Sequence, residues 1–163
     1  MKKILLGLIG VVTALMLVSC GGAAPAATPG TPDATVAANL TKQLEGVTLN
    51  EYAFGDQFLK VEEIKTVDAK VKAVVSSEDF KKITKKGYYL YAVGHACKWG
   101  SPSANKAMGM QRAKQTINEL RGLGLDVKFV KPASLGDKKM QKDQSTQHPA
   151  QRRVTFMVTK TVK

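Results

Sequence analysis

Cysteine is nearly missing from this chain of 163 residues: Cys20 and Cys97 are the only two. Two thiols cannot build a disulfide framework. The histidines are also two, His95 and His148, too far apart to pair by any spacing rule, so the chain has no set of soft ligands for a metal site. Acidic residues are scarce, 13 against 25 lysines and arginines, and the formal net charge is +12. Aromatics make up 6% of the chain, with one tryptophan, Trp99. A basic chain attracts polyanions, but the lysines are scattered over every candidate element with few aromatics between them. That pattern, together with the export signal described next, excludes nucleic acid as the partner. No internal repeat is present.

What the sequence does have starts at its N-terminus. Lys2 and Lys3 precede the apolar run "ILLGLIGVVTALMLV", which ends in "LVSC" at residues 17–20. The small-residue exit followed by Gly-Gly reads as a processed signal peptide rather than a membrane span. Leu17 and Ser19 before Cys20 resemble the bacterial lipobox. That resemblance implies a lipoprotein signal peptide over 1–19 and a Cys20 that carries acyl chains, palmitate among them, as the first residue of the mature protein. Several chains on one residue give stable membrane residence where a single chain does not. The alternative is an ordinary secretory signal with an incidental cysteine. Residues 20–45 read as the lipidated cysteine and a flexible Pro/Ala-rich tether, since "GGAAPAATPGTPDATVAAN" has no large apolar residue before Val36; "LTKQLEG" adds at most a helical turn. In the exported compartment Cys97 is left as the free thiol.

A folded domain is expected over 46–163. "VTLNEYAF" predicts a first strand, with Val47, Leu49, Tyr52 and Phe54 as its apolar members. Phe58, Val61, Ile64, Val67, Val71 and Val74 recur at three and four, which predicts an amphipathic helix. "SSEDFKKITKKG" predicts a capped last turn or short second helix ending at Gly87. "YYLYAVGHA" is the clearest strand. Ser103 is placed to N-cap a helix over 104–121 with Met110, Ala113, Ile117 and Leu120 on its stripe. "LDVKFV" predicts a third strand, the twenty residues from Lys131 a long polar loop, and "RRVTFMVTKTV" a last strand with Val154, Phe156 and Val158 on one face. The fold class is therefore α/β (α+β): a two-layer sandwich in the order β-α-β-α-β-β, with two helices on one face of a mixed sheet.

One set of spaced residues points further. Gly94-His95, Gly100, Asn105, Met108-Gly109, Arg112-Ala113 and, near the end, Gln151-Arg152-Arg153-Val154 resemble the OmpA-like peptidoglycan-binding domain family over residues 46–163. The resemblance implies a lipid-anchored, non-catalytic protein that ties the outer membrane to the cell wall, with its domain in the periplasm and the peptidoglycan stem peptide as partner. Carboxylate-rich wall or anionic lipid headgroups suit both the charge and the address. No nucleophile–base pair or paired carboxylate stands near the motif, so neither an enzyme nor a cofactor is expected. The family's pattern has an aspartate where this chain has Cys97, a threonine where it has Ala96, and an asparagine where it has Gln151. In the family the aspartate and the helix arginine grip the zwitterionic diaminopimelate end of the stem. Arg112 keeps the guanidinium fork for a carboxylate, while a thiol cannot replace an anion.

The candidate peptidoglycan-binding residues are thus Arg112, Asn105, Cys97, Met108, Arg152 and Arg153. Bland readings stand beside them: Arg112 as a surface ion-pair partner, Asn105 as a bond to the adjacent loop, His95 as a packed histidine, Trp99 as a plug rather than a stacking surface for a sugar. Two other functions remain open. The scaffold reading has lost stem-peptide binding through Cys97 and acts as an interaction module for other envelope proteins. The redox reading uses Cys97 for redox chemistry or a disulfide-linked dimer.

Overall fold

Strand-like alternation is strongest at residues 88–96 and 152–162, and the sheet is built around those two segments. A computed structural model describes residues 30–50, 52–53, 55–56, 61–143 and 145–162. In chain order the elements are α1 (Pro32–Gln43), β1 (Thr48–Leu49), α2 (Val61–Ser76), α3 (Glu78–Thr84), β2 (Tyr89–His95), α4 (Pro102–Gly122), β3 (Val130–Gly136), a 3-10 turn (Pro149–Gln151) and β4 (Val154–Thr159). The sheet order is β1-β4-β2-β3. β4 runs antiparallel to β1 and β2, and β3 runs parallel to β2. The sheet is mixed, as expected, with α4 as the crossover between its parallel pair.

Register explains the two faces of the sheet. Leu90 lies opposite Val158 and Ala92 opposite Phe156; all four are buried in one core with residues of all four helices. Tyr91–Met157 and Val93–Thr155 form the other face. The spacing read from α2 holds: Ile64, Val67, Val71 and Val74 are buried. Ser77 caps α3 by accepting from the Phe80 N–H at 3.2 Å.

Several expectations are corrected. The flexible tether does not reach residue 45. Residues 32–43 form α1, with Pro32 in its first turn, where a missing N–H costs nothing, and Ala37, Leu40 and Leu44 in the core. Thr41 Oγ1 accepts from the Val158 N–H at 2.9 Å and donates to its carbonyl. It covers the edge of β4 beyond the two-residue β1, which satisfies main-chain groups that an open edge would leave bare. With α1 and α3 present, the layer has four helices among the described residues, not two. The first strand is confined to Thr48–Leu49; Phe54 and Phe58 lie outside the described residues, as do the signal segment 1–19, Cys20 and the tether up to residue 29.

The third strand is not "LDVKFV". α4 ends in a Schellman motif: Leu125 N–H bonds the Leu120 carbonyl, Gly124 N–H bonds the Arg121 carbonyl, and Gly124 has φ 90°. Leu125 is consumed by that motif, so the strand begins at Val130 and runs through Pro132. A proline is tolerated there because β3 is an edge strand bonded to β2 alone. Finally, the cap of α4 is Ser101, whose Oγ accepts from the Ala104 N–H at 3.2 Å, with Pro102 behind it; Ser103 lies inside the helix. Met110 is only half-buried, and the buried stripe of α4 runs instead through Asn105, Gly109, Arg112, Ala113, Thr116, Ile117 and Leu120.

Candidate functional site

At the C-terminal end of β2 the chain turns through residues 96–101 into α4. The turn is fixed on three sides by main-chain bonds: His95 N–H to the Arg153 carbonyl, Ala96 N–H to Gly136, and Lys98 N–H to Thr146. α4 is held unusually close to β2. A Cβ on Gly94 would lie 1.8 Å from the Gly109 carbonyl oxygen, and one on Gly109 would lie 2.4 Å from Ser134 Oγ. Two glycines facing each other are what allow the backbones to meet. This sets the depth of a cleft of about 120 Å³ lined by Gly55, Ala96, Cys97, Trp99, Ala104, Asn105, Met108, Arg112 and Arg152.

Arg112 is the deepest member, 1% exposed. Its Nε donates to the Asp56 carbonyl at 2.9 Å, Nη1 to His95 at 3.0 Å and Nη2 to Ala53 at 3.4 Å. Its guanidinium carbon lies 5.2 Å from the centre of the Tyr52 ring. Burial pulls its pKa down to about 10, opposed chiefly by Tyr52. It is still charged at neutral pH. Of five N–H groups, three are therefore spent on main-chain carbonyls. Among the described residues the other two, one on each terminal nitrogen, carry no hydrogen bond.

Arg152 is half-buried at the same cleft. Its Nε donates to the Tyr52 carbonyl, and the Tyr52 N–H returns a bond to the Arg152 carbonyl. Among the described residues its two terminal nitrogens make no bonds. Tyr52, read from the sequence only as a strand member, thus organises both arginines. It is 1% exposed, its hydroxyl lies 2.9 Å from Thr116 Oγ1, and burial raises its pKa to about 12.

The structure brings together Cys97, Asn105, Met108, Arg112 and Arg152, and leaves out Arg153. Cys97 is buried and free. Asn105 is 4% exposed and donates from Nδ2 to Asp137 at 3.3 Å, tying α4 to the end of β3. Arg153 points to the opposite face of the sheet, where Nη2 donates to the Lys139 carbonyl at 2.7 Å beside His95. Successive residues of extended chain face opposite ways, so Arg152 and Arg153 could not share one cleft. His95 is packed, with Nε2 3.1 Å from Thr155 Oγ1. Burial first, then the Arg153 charge, depress its pKa to about 3. Gln151, at the family's asparagine position, is fully buried and fastens the long polar loop: its Oε1 accepts from the Gln141 N–H at 2.7 Å, and its Nε2 donates to the Gln141 carbonyl at 2.9 Å and to the Ser145 carbonyl at 3.3 Å. Trp99 is 57% exposed at the cleft. Among the described residues no group of three or more His, Cys, Asp or Glu could hold a metal, and no helix is long and apolar enough to cross a membrane.

The fold is similar to that of OmpA-like domains. The OmpA-like domain of FopA1 from Francisella tularensis superposes with a TM-score of 0.51 at 17% identity, covering 66% of this chain and 67% of that one. The C-terminal domain of Helicobacter pylori MotB (residues 125–256) superposes with a TM-score of 0.50 at 12% identity, over 69% of this chain and 83% of its own. The peptidoglycan-associated lipoprotein from Burkholderia pseudomallei aligns at 17% identity over 69% of this chain and 89% of its own, with a TM-score of 0.49. The fold assignment rests on the first two. No family model and no curated protein matches the chain.

Proposed function

We propose that the chain is a lipid-anchored, non-catalytic binding protein of the bacterial envelope. Cys20 holds it in the outer membrane, and its periplasmic domain binds the peptidoglycan stem peptide. The observation that carries this reading is the pair of guanidinium groups at one cleft, Arg112 below and Arg152 at the side, each with N–H groups that no described residue occupies. A carboxylate placed between them gains charge-assisted bonds from both. Met108 and Cys97 supply the apolar wall, and Asn105 holds the end of α4 in place.

The structure changes which arginine is the better probe. Removing Arg112 would take a donor from three main-chain carbonyls, those of Ala53, Asp56 and His95, mixing folding with binding. Arg152 gives the cleaner test. Titration of a diaminopimelate-containing stem peptide by calorimetry is expected to show binding that Arg152→Ala weakens about ten-fold or more, the range for a bond to a charged group. Lys138→Ala, a change at an exposed lysine, is expected to leave it unchanged. No binding by a folded wild-type protein would favour the second reading, an envelope interaction module that has lost the stem peptide. The observation behind that reading is the thiol of Cys97 where an anion would complete the clamp.

A further inference from the structure

The lining of the cleft narrows its ligand beyond "a carboxylate". Its described residues include two cations, Arg112 and Arg152, and no acid. The side-chain amide of Asn105 donates to Asp137. Asp56 acts on Arg112 electrostatically, but it is not part of the lining. The remaining described lining is Gly55, the thiol of Cys97 and the apolar groups of Ala96, Ala104, Met108 and Trp99.

An ammonium brought into this space would lose water, meet no anion among the described lining residues and sit beside two like charges. Each effect opposes binding. A carboxylate whose neighbouring nitrogen is acylated brings the anion without the cation, and its amide carries no charge to desolvate. The exposed ring of Trp99 offers apolar surface for the acylated part.

We infer that the cleft selects a carboxylate whose α-nitrogen is amide-linked, as at an acylated or cross-linked stem-peptide end, and rejects the free zwitterionic amino-acid end. This inference rests on the wall-binding reading above.

The test uses the full-length chain in neutral detergent and two stem peptides that differ at one atom group: the terminal amine of the diaminopimelate is free in one and acetylated in the other. Calorimetry is expected to show the acetylated peptide binding about ten-fold more tightly or better, since a desolvated ammonium without a partner is costly. Cys97→Asp, where it folds, is expected to shift the preference toward the free amine. The ranking on the unmodified chain decides the matter without that variant. Equal binding of the two peptides, or tighter binding of the free amine, would overturn the selectivity and leave wall binding standing. Binding of neither peptide, with a normal thermal melt, would overturn both.

Discussion

His95 shows how a polar residue in a motif can serve the fold rather than the ligand. Its ring is 4% exposed and faces away from the cleft, against Thr155 and Arg153. With its pKa held near 3 by burial and the Arg153 charge, the folded protein keeps it neutral where the unfolded chain, near 6.5, takes up a proton. The unfolded state therefore binds more protons below about pH 6.5, and stability must fall as pH drops from there toward 3. From this group alone the domain is expected to be about 2 kcal/mol less stable at pH 5 than at pH 7. Urea unfolding of wild type and His95→Gln should show that slope in the first and a flatter one in the second. Parallel slopes would mean that the imidazole is charged in the fold. The sequence reading of His95 as packed thus holds, and Cys97, Asn105, Met108, Arg112 and Arg152 line one cleft. What spacing could not reveal is that Arg112 is mostly committed to carbonyls of residues 53, 56 and 95. Those carbonyls come from segments that no local pattern links to the helix.

Among the elements, the meeting of β2 and α4 is the contact on which the cleft depends. Gly94 and Gly109 are legible as motif positions, but their reason is visible only when the two backbones are superimposed. Gly94→Ala is expected to cost about 3 kcal/mol, the upper part of the range for overpacking, because the new methyl meets main chain rather than a side chain that can swing away. A denaturation midpoint equal to wild type would show that α4 moves freely off the sheet. α1 teaches the opposite lesson. Its buried face is built from Ala37 and Leu40, with Leu44 at its C-cap, a stripe too narrow and too alanine-rich to stand out beside prolines that signal a spacer. Leu40→Ala is expected to cost about 2–4 kcal/mol through the cavity it leaves, read from equilibrium unfolding. A tether residue would give no change. β3 escaped for a related reason: propensity weighs against proline in a strand, and only the sheet order shows that Pro132 stands on an edge.

For the whole molecule, the signal segment and Cys20 are among the readings that lie outside the described residues and rest on sequence alone. Replacing Cys20 by serine is expected to release the protein from membranes or leave an unprocessed precursor, seen by fractionation and intact mass. Unchanged processing and sorting would remove the lipid anchor from the account. The net charge of +12 raises a rival explanation for any wall binding, since a basic molecule adheres to an anionic polymer without a site. Screening separates the two, because solvated charges weaken steeply with salt while bonds in a buried cleft weaken less. The most direct measurement is co-sedimentation of the full-length chain, in neutral detergent, with purified sacculi at low and at raised salt, alongside Arg152→Ala and Lys138→Ala. The two-arginine cleft predicts that wild type and Lys138→Ala stay with the sacculi at raised salt while Arg152→Ala is lost from them. Equal behaviour of the two variants, with complete release of wild type by salt, would contradict it.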